Sequence, residues 1–158
     1  MRGLTIALLM AISGVSCQYD PFTHEFTEVK PNASDLVGTY VLDSQSIDML
    51  NRNYKVPPPG SRFTLRSDGT FTIQNIPSCW RAAAQCTRQT ETADGRWEIR
   101  KDQQQWWAVQ LSCSNISGNK IEYGIPAMIR GDHPPLLLHF TVGDPDTGEG
   151  LAFRKEST

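Results

Sequence analysis

From Leu36 onward, apolar and polar residues take turns along the chain, a period of two that marks strands with one buried face. The clearest case is Ser61 to Ile76. Phe63 and Leu65 alternate with polar neighbours, Ser67-Asp68-Gly69-Thr70 reverses the chain, and Phe71 and Ile73 alternate on the way back. This predicts a β-hairpin whose Asp-Gly reversal has two central residues, both at positive φ. Before it, Leu36 to Asp43 reads as a strand with two fairly apolar faces. Ser44 then caps a short helix through Asn53, with Ile47 and Leu50 on one side and Pro57-Pro58-Pro59-Gly60 as its stop.

After the hairpin comes the longest irregular stretch, Pro77 to Gly95, which holds Cys79, Trp80, Cys86 and the Ala82-Ala83-Ala84 run. Long irregular loops in compact domains are commonly functional or disordered. Alternation then resumes with Trp97 and Ile99 inward, followed by Trp107, Val109, Leu111 and Cys113 on one face, which turns Trp106 outward. Ser117-Gly118 reverses the chain again. Ile121, Tyr123 and Ile125 alternate up to Pro126, with Ala127 and Ile129 beyond it, a kinked or edge strand. Leu136, Leu138, Phe140 and Val142 share a face with His139 opposite, and Leu151 and Phe153 end the pattern. About eight short antiparallel strands joined by tight turns predict an all-β domain over residues 36–158, a meandering barrel or sandwich with one short helix after the first strand. The barrel is preferred, because closure removes exposed edges.

Gly38-Thr39-Tyr40, Asp68-Gly69-Thr70-Phe71 and Gly95-Arg96-Trp97 fall where small lipocalin-like bacterial envelope lipoproteins have similar short motifs, and the layout resembles that family. The helix between the first two strands is closer to the arrangement in fatty-acid-binding proteins. The resemblance implies a barrel with an interior site and names no ligand.

Residues 1–16 have the make-up of an export signal: Arg2 at the start, Leu4 to Ile12 as the apolar run, and Ser13-Gly14-Val15-Ser16 as a small-residue exit. The run is about nine residues, too short for a bilayer that needs about twenty. Gly14-Val15-Ser16-Cys17 resembles the lipobox of bacterial lipoproteins, with Gly14 where the family usually has Leu. The resemblance implies a lipid on Cys17, and Gln18 after it implies sorting to the outer membrane, facing the periplasm. With Cys17 unmodified, the protein is expected to be periplasmic. Residues 17–35 are polar and interrupted by Pro21 and Pro31, the composition of a flexible tether.

Four cysteines become three if Cys17 carries lipid. Cys79 and Cys86 flank a short loop and are the preferred disulfide, with Cys113 as a buried thiol. Cys86–Cys113 and Cys79–Cys113 remain open from sequence. No Cys-x-x-Cys spacing and no nearby His suggests zinc.

The net charge of −2 and fifteen scattered Lys and Arg predict no nucleic-acid partner. Asp144-Pro145-Asp146-Thr147-Gly148-Glu149 resembles half a calcium loop, but a strand follows where later ligands are needed, so it reads as a turn and no metal is expected. His24, His133 and His139 fall in the tether, a turn and a strand, with no Gly-x-Ser-x-Gly. Glu98 and Glu122 alternate with inward apolar residues and should face water. A non-enzymatic binding protein of the envelope is therefore expected, without cofactor. If the barrel is hollow, Phe63, Phe71, Trp97, Trp107 and Phe140 line a pocket for a small apolar ligand or lipid. If it is filled, Trp80 and Trp106 become the contact for an envelope protein, a class that includes inhibitors and immunity proteins.

Overall fold

The computed structural model describes residues 20–55, 60–81, 86–102 and 105–156. The signal segment and Cys17 lie outside them, as do Pro57-Pro58-Pro59 and the Ala82-Ala83-Ala84 run. Eight strands form a closed antiparallel barrel in which each pairs with its sequence neighbours and the last returns to the first. They are β1 (Gly38–Leu42), β2 (Arg62–Leu65), β3 (Thr70–Pro77), β4 (Thr90–Lys101), β5 (Trp107–Ile116), β6 (Asn119–Arg130), β7 (Leu137–Thr141) and β8 (Gly150–Lys155). A single turn, α1 (Ala33–Leu36), precedes β1, and the expected helix follows it as α2 (Ser44–Met49), extended by a wider turn over Leu50–Tyr54. Its cap is Asp43 rather than Ser44. The Asp43 carboxylate accepts the Ser46 amide at 2.7 Å, and a carboxylate suits the positive end of the helix better than a hydroxyl.

The alternating apolar residues meet inside. Phe63 lies 6.1 Å from the rings of Tyr40, Phe71 and Phe153 and 6.0 Å from Phe140, edge to face with Phe71 and Phe153 and tilted to the other two. All five are buried, together with Leu65, Ile73, Val109, Leu111, Leu138 and Leu151. Small eight-stranded barrels either fill with side chains or hold one ligand. Among the described residues this one is filled, and Phe63 and Phe71 are core residues.

Three local readings change. The hairpin at Asp68-Gly69 is a longer reversal: Gly69 N donates to Arg66 O at 3.1 Å, Gly69 alone has positive φ, and Asp68 instead accepts the Thr70 amide at 2.9 Å. That is a type I turn closed by a left-handed Gly, which lets the Asp side chain brace the turn. The geometry expected there occurs at Ser117-Gly118, with φ of 50° and 84° between the paired Ile116 and Asn119. Second, β4 begins at Thr90, so the irregular stretch is shorter than the composition suggests, because its Thr-rich start pairs with Ile76 and Pro77 of β3. Third, Ile121 and Tyr123 are each 38% exposed. A register shift between Cys113 and Asn115 bends the β5–β6 hairpin past the rim, where no interior remains to receive them.

The expected tether departs furthest from its reading. Residues 25–27 wedge between the splayed start of β5 and end of β6: Thr27 N donates to Ile129 O at 2.9 Å, Trp107 N to Thr27 O at 3.0 Å, and Gly131 N to Glu25 O at 2.9 Å. Phe26 and Thr27 are buried. Aromatic residues at Phe22 and Phe26 are what a strap needs to cover a barrel face. A reading based on polarity and prolines gives two such residues too little weight.

Candidate functional site

The barrel wall is weakly paired between β6 and β7. β6 pairs with β5 from Asn119 to Met128, whereas β7 meets β6 only at Met128, Ile129 and Arg130. Pro126 supplies the reason. The carbonyl of Ile129 faces the β5 side, where it receives Thr27, so by alternation Pro126 faces β7 with no N–H to donate. The ladder ends two residues short of it. Beyond that point β6 and β7 part, leaving a slit of about 230 Å³.

Its floor is apolar: Ile125 of β6, Phe140 of β7, and Trp80 from the loop after β3. Trp80 is 1% exposed, lies edge-on to Phe140 at 5.8 Å, and donates its indole N–H to Glu91 at 2.7 Å. Glu91 also holds Arg81 at 2.6 Å, and the Cys79–Cys86 disulfide ties the loop on either side of Trp80. The remaining thiol among the described residues, Cys113, is buried, and burial raises its pKa to about 11, so it is a packed hydrophobe rather than a nucleophile. Opening the bridge by Cys79→Ser with Cys86→Ser is expected to cost about 2 kcal/mol for so short a loop. Urea denaturation of the double variant beside the reduced parent checks this, and equal midpoints for variant and oxidised parent would contradict it.

The walls come from both ends of the chain. Trp106 stands outward from the turn before β5, positioned by Asp102, whose N–H donates to Trp106 O and whose carboxylate accepts Trp106 N, each at 2.8 Å. The strap supplies Phe26, 5.5 Å from Trp106 and edge-on, together with Thr23 and Asp20. Asp20 accepts the Phe22 amide at 2.9 Å, and Thr141 donates to its other oxygen at 3.4 Å, which ties the strap to β7. Two carboxylates and no Lys, Arg or His line the slit among the described residues.

Of the sequence candidates, the structure brings Trp80, Trp106 and Phe140 to the slit. Trp97 and Trp107 are elsewhere. Trp97 donates to Arg66 O at 2.9 Å beside a groove shared with Lys30 and Pro31, and Trp107 donates to Glu28 O at 3.1 Å beneath the Lys30 ammonium. Sequence reasoning missed Phe26, Asp20 and Asp102. The aromatic spacing in the strap is the one signal that pointed to the first.

His139 occupies the outer face of β7, under the strap. Phe22 and Phe26 cover it at 4.6 and 5.6 Å, and a Cβ at Gly150 would collide with its ring. Neither ring nitrogen has a hydrogen-bond partner among the described residues. Burial, then the Arg130 charge, lowers its pKa to about 3. The hydroxyl and carboxylate partners of a serine-histidine-acid set are not bonded to it. Asp144 to Gly148 form a single tight turn, in which the Asp144 carboxylate accepts the Asp146 amide at 3.0 Å. Comparison with protein-family models, with curated proteins and with solved structures finds no match to this chain.

Proposed function

We propose that this protein is an exported, non-enzymatic binding module of the cell envelope, tethered through a lipid on Cys17, which grips another envelope protein at the slit between β6 and β7. The carrying observation is that the apolar opening is lateral while the barrel interior is packed with rings. Its volume of about 230 Å³ falls below the range of roughly 300–1,000 Å³ usual for small-molecule sites. It suits a protruding side chain better than a lipid, and this favours a protein partner over the carriage of an apolar ligand. Rigid aromatic anchors around a desolvated depression are also the ordinary make-up of an interaction hot spot. The lipocalin-like layout supports an envelope lipoprotein, and the disulfide supports an oxidising compartment.

Two measurements on the full chain, expressed in a Gram-negative host, test this reading. Intact mass of the mature protein should show acyl chains on an N-terminal Cys17, and Cys17→Ser should move it from the membrane to the soluble periplasmic fraction. A photo-crosslinking residue at position 106 should form a discrete adduct with one envelope protein, which the same residue at solvent-facing position 98 does not form. A soluble, unacylated parent would overturn the anchor, and identical adducts from both positions would overturn the slit as the contact.

A further inference from the structure

An apolar slit does not by itself say what enters it, but its charges do. Aromatic faces from Phe26, Trp80, Trp106 and Phe140 surround it, the only charged groups in its lining among the described residues are Asp20 and Asp102, and Pro145 in the rim is flanked by Asp144 and Asp146. Arg130, beside the strap, pairs with Glu25 at 2.9 Å and lies over the Phe22 ring, and it is not part of the slit lining. The β6 edge beside the slit, from Gly124 to Pro126, has β5 on one side and no strand on the other. An extended chain can run there, in the track β7 abandons, and project one side chain inward.

We propose, building on the slit as the docking site, that its occupant is an arginine or lysine side chain presented by an extended basic segment of the partner protein. The aliphatic stem packs on Ile125, Met128 and Phe140, and the cationic head sits among aromatic faces with Asp20 and Asp102 within its field. Pro126 leaves the edge one donor short. Affinity therefore comes mainly from the inserted side chain, and the edge orients the segment without recruiting strands indiscriminately.

The test uses the full mature chain and three fluorescent heptapeptides of alternating threonine and valine whose central residue is arginine, norleucine or glutamate, read by anisotropy at 50 and 500 mM salt. The arginine peptide is expected to bind about tenfold tighter than the norleucine peptide, with most of that margin lost at high salt. Asp20→Asn with Asp102→Asn should reduce arginine-peptide binding to the norleucine level. Asparagine oxygens can still accept the Phe22 and Trp106 amides, so fold and strap are kept, as the circular dichroism spectrum should show. Equal or tighter binding of the norleucine peptide, an unaffected double variant, or binding of none of the three would each overturn this inference. The position-106 adduct, which uses the native partner, is independent of that result and alone decides the docking reading.

Discussion

Acidification from pH 7 to pH 4 is expected to remove about 3 kcal/mol of stability through one side chain, and His139→Leu is expected to abolish that part of the loss. The unfolded chain protonates histidine near pH 6.5, whereas the folded ring, with a pKa of about 3, stays neutral. The folded value is the lower one, so below pH 6.5 the unfolded state takes up a proton that the folded state refuses. The stability is fully present above about pH 6.5, and it drains at about 1.4 kcal/mol per unit as the pH falls toward 3. The groups around the ring explain the asymmetry. Phe22 and Phe26 cover it from the strap, Gly150 of β8 backs it, and Arg130 of β6 adds a like charge, while Asp43, Asp48 and Arg52 line the groove outside. Leu has no nitrogen to desolvate. At pH 7 the variant should be at least as stable as the parent, because two unpaired buried nitrogens disappear. Urea denaturation at pH 7, 6, 5 and 4 separates this from the general carboxylate contribution, and parallel pH profiles for parent and variant would refute it. Hydrogen exchange at the Thr27 and Gly131 amides, which hold the strap, gives a local readout of the same event.

Phe63→Ala is expected to cost roughly 3–5 kcal/mol, near the whole stability of an ordinary domain. Phe63 has no exposed surface and touches four other rings, so neighbouring strands cannot close over the gap without moving Tyr40, Phe71, Phe140 and Phe153 together. The chain is therefore expected to unfold at a much lower urea concentration. Under native conditions the variant should bind xenon in a dry cavity that the parent lacks. A midpoint within experimental error of the parent would mean that the interior is loosely filled, and the argument for a lateral site would fall with it.

The slit was only partly legible in the residue order. Trp80 and Trp106 stood out because one sat in a cysteine-braced loop and the other broke the inward pattern beside Trp107. Asp20, Asp102 and Phe26 did not, because their relevance depends on a strap that crosses more than a hundred residues of sequence to reach β6 and β7. His139 looked like an outward strand residue, and so it is. What buries it is not its own strand but Phe22 and Phe26 lying across it.

The residue order alone determined the eight-stranded antiparallel barrel, the helix after its first strand and most of the inward set from Tyr40 to Phe153, because a pleated strand sends alternate side chains to opposite faces and tight turns join neighbours; Trp97, Ile99 and Trp107 are only partly buried, and Ile121 and Tyr123 are exposed. It left the cysteine pairing open, and tertiary structure decided for Cys79–Cys86 by bringing those two sulfurs together while burying Cys113 in the wall. Tertiary structure also decided that the barrel is full, that the strap is part of the fold, and that β6 and β7 part beside Pro126. Each of these depends on distances between residues far apart in the chain, which a local alternation of apolar and polar groups does not encode.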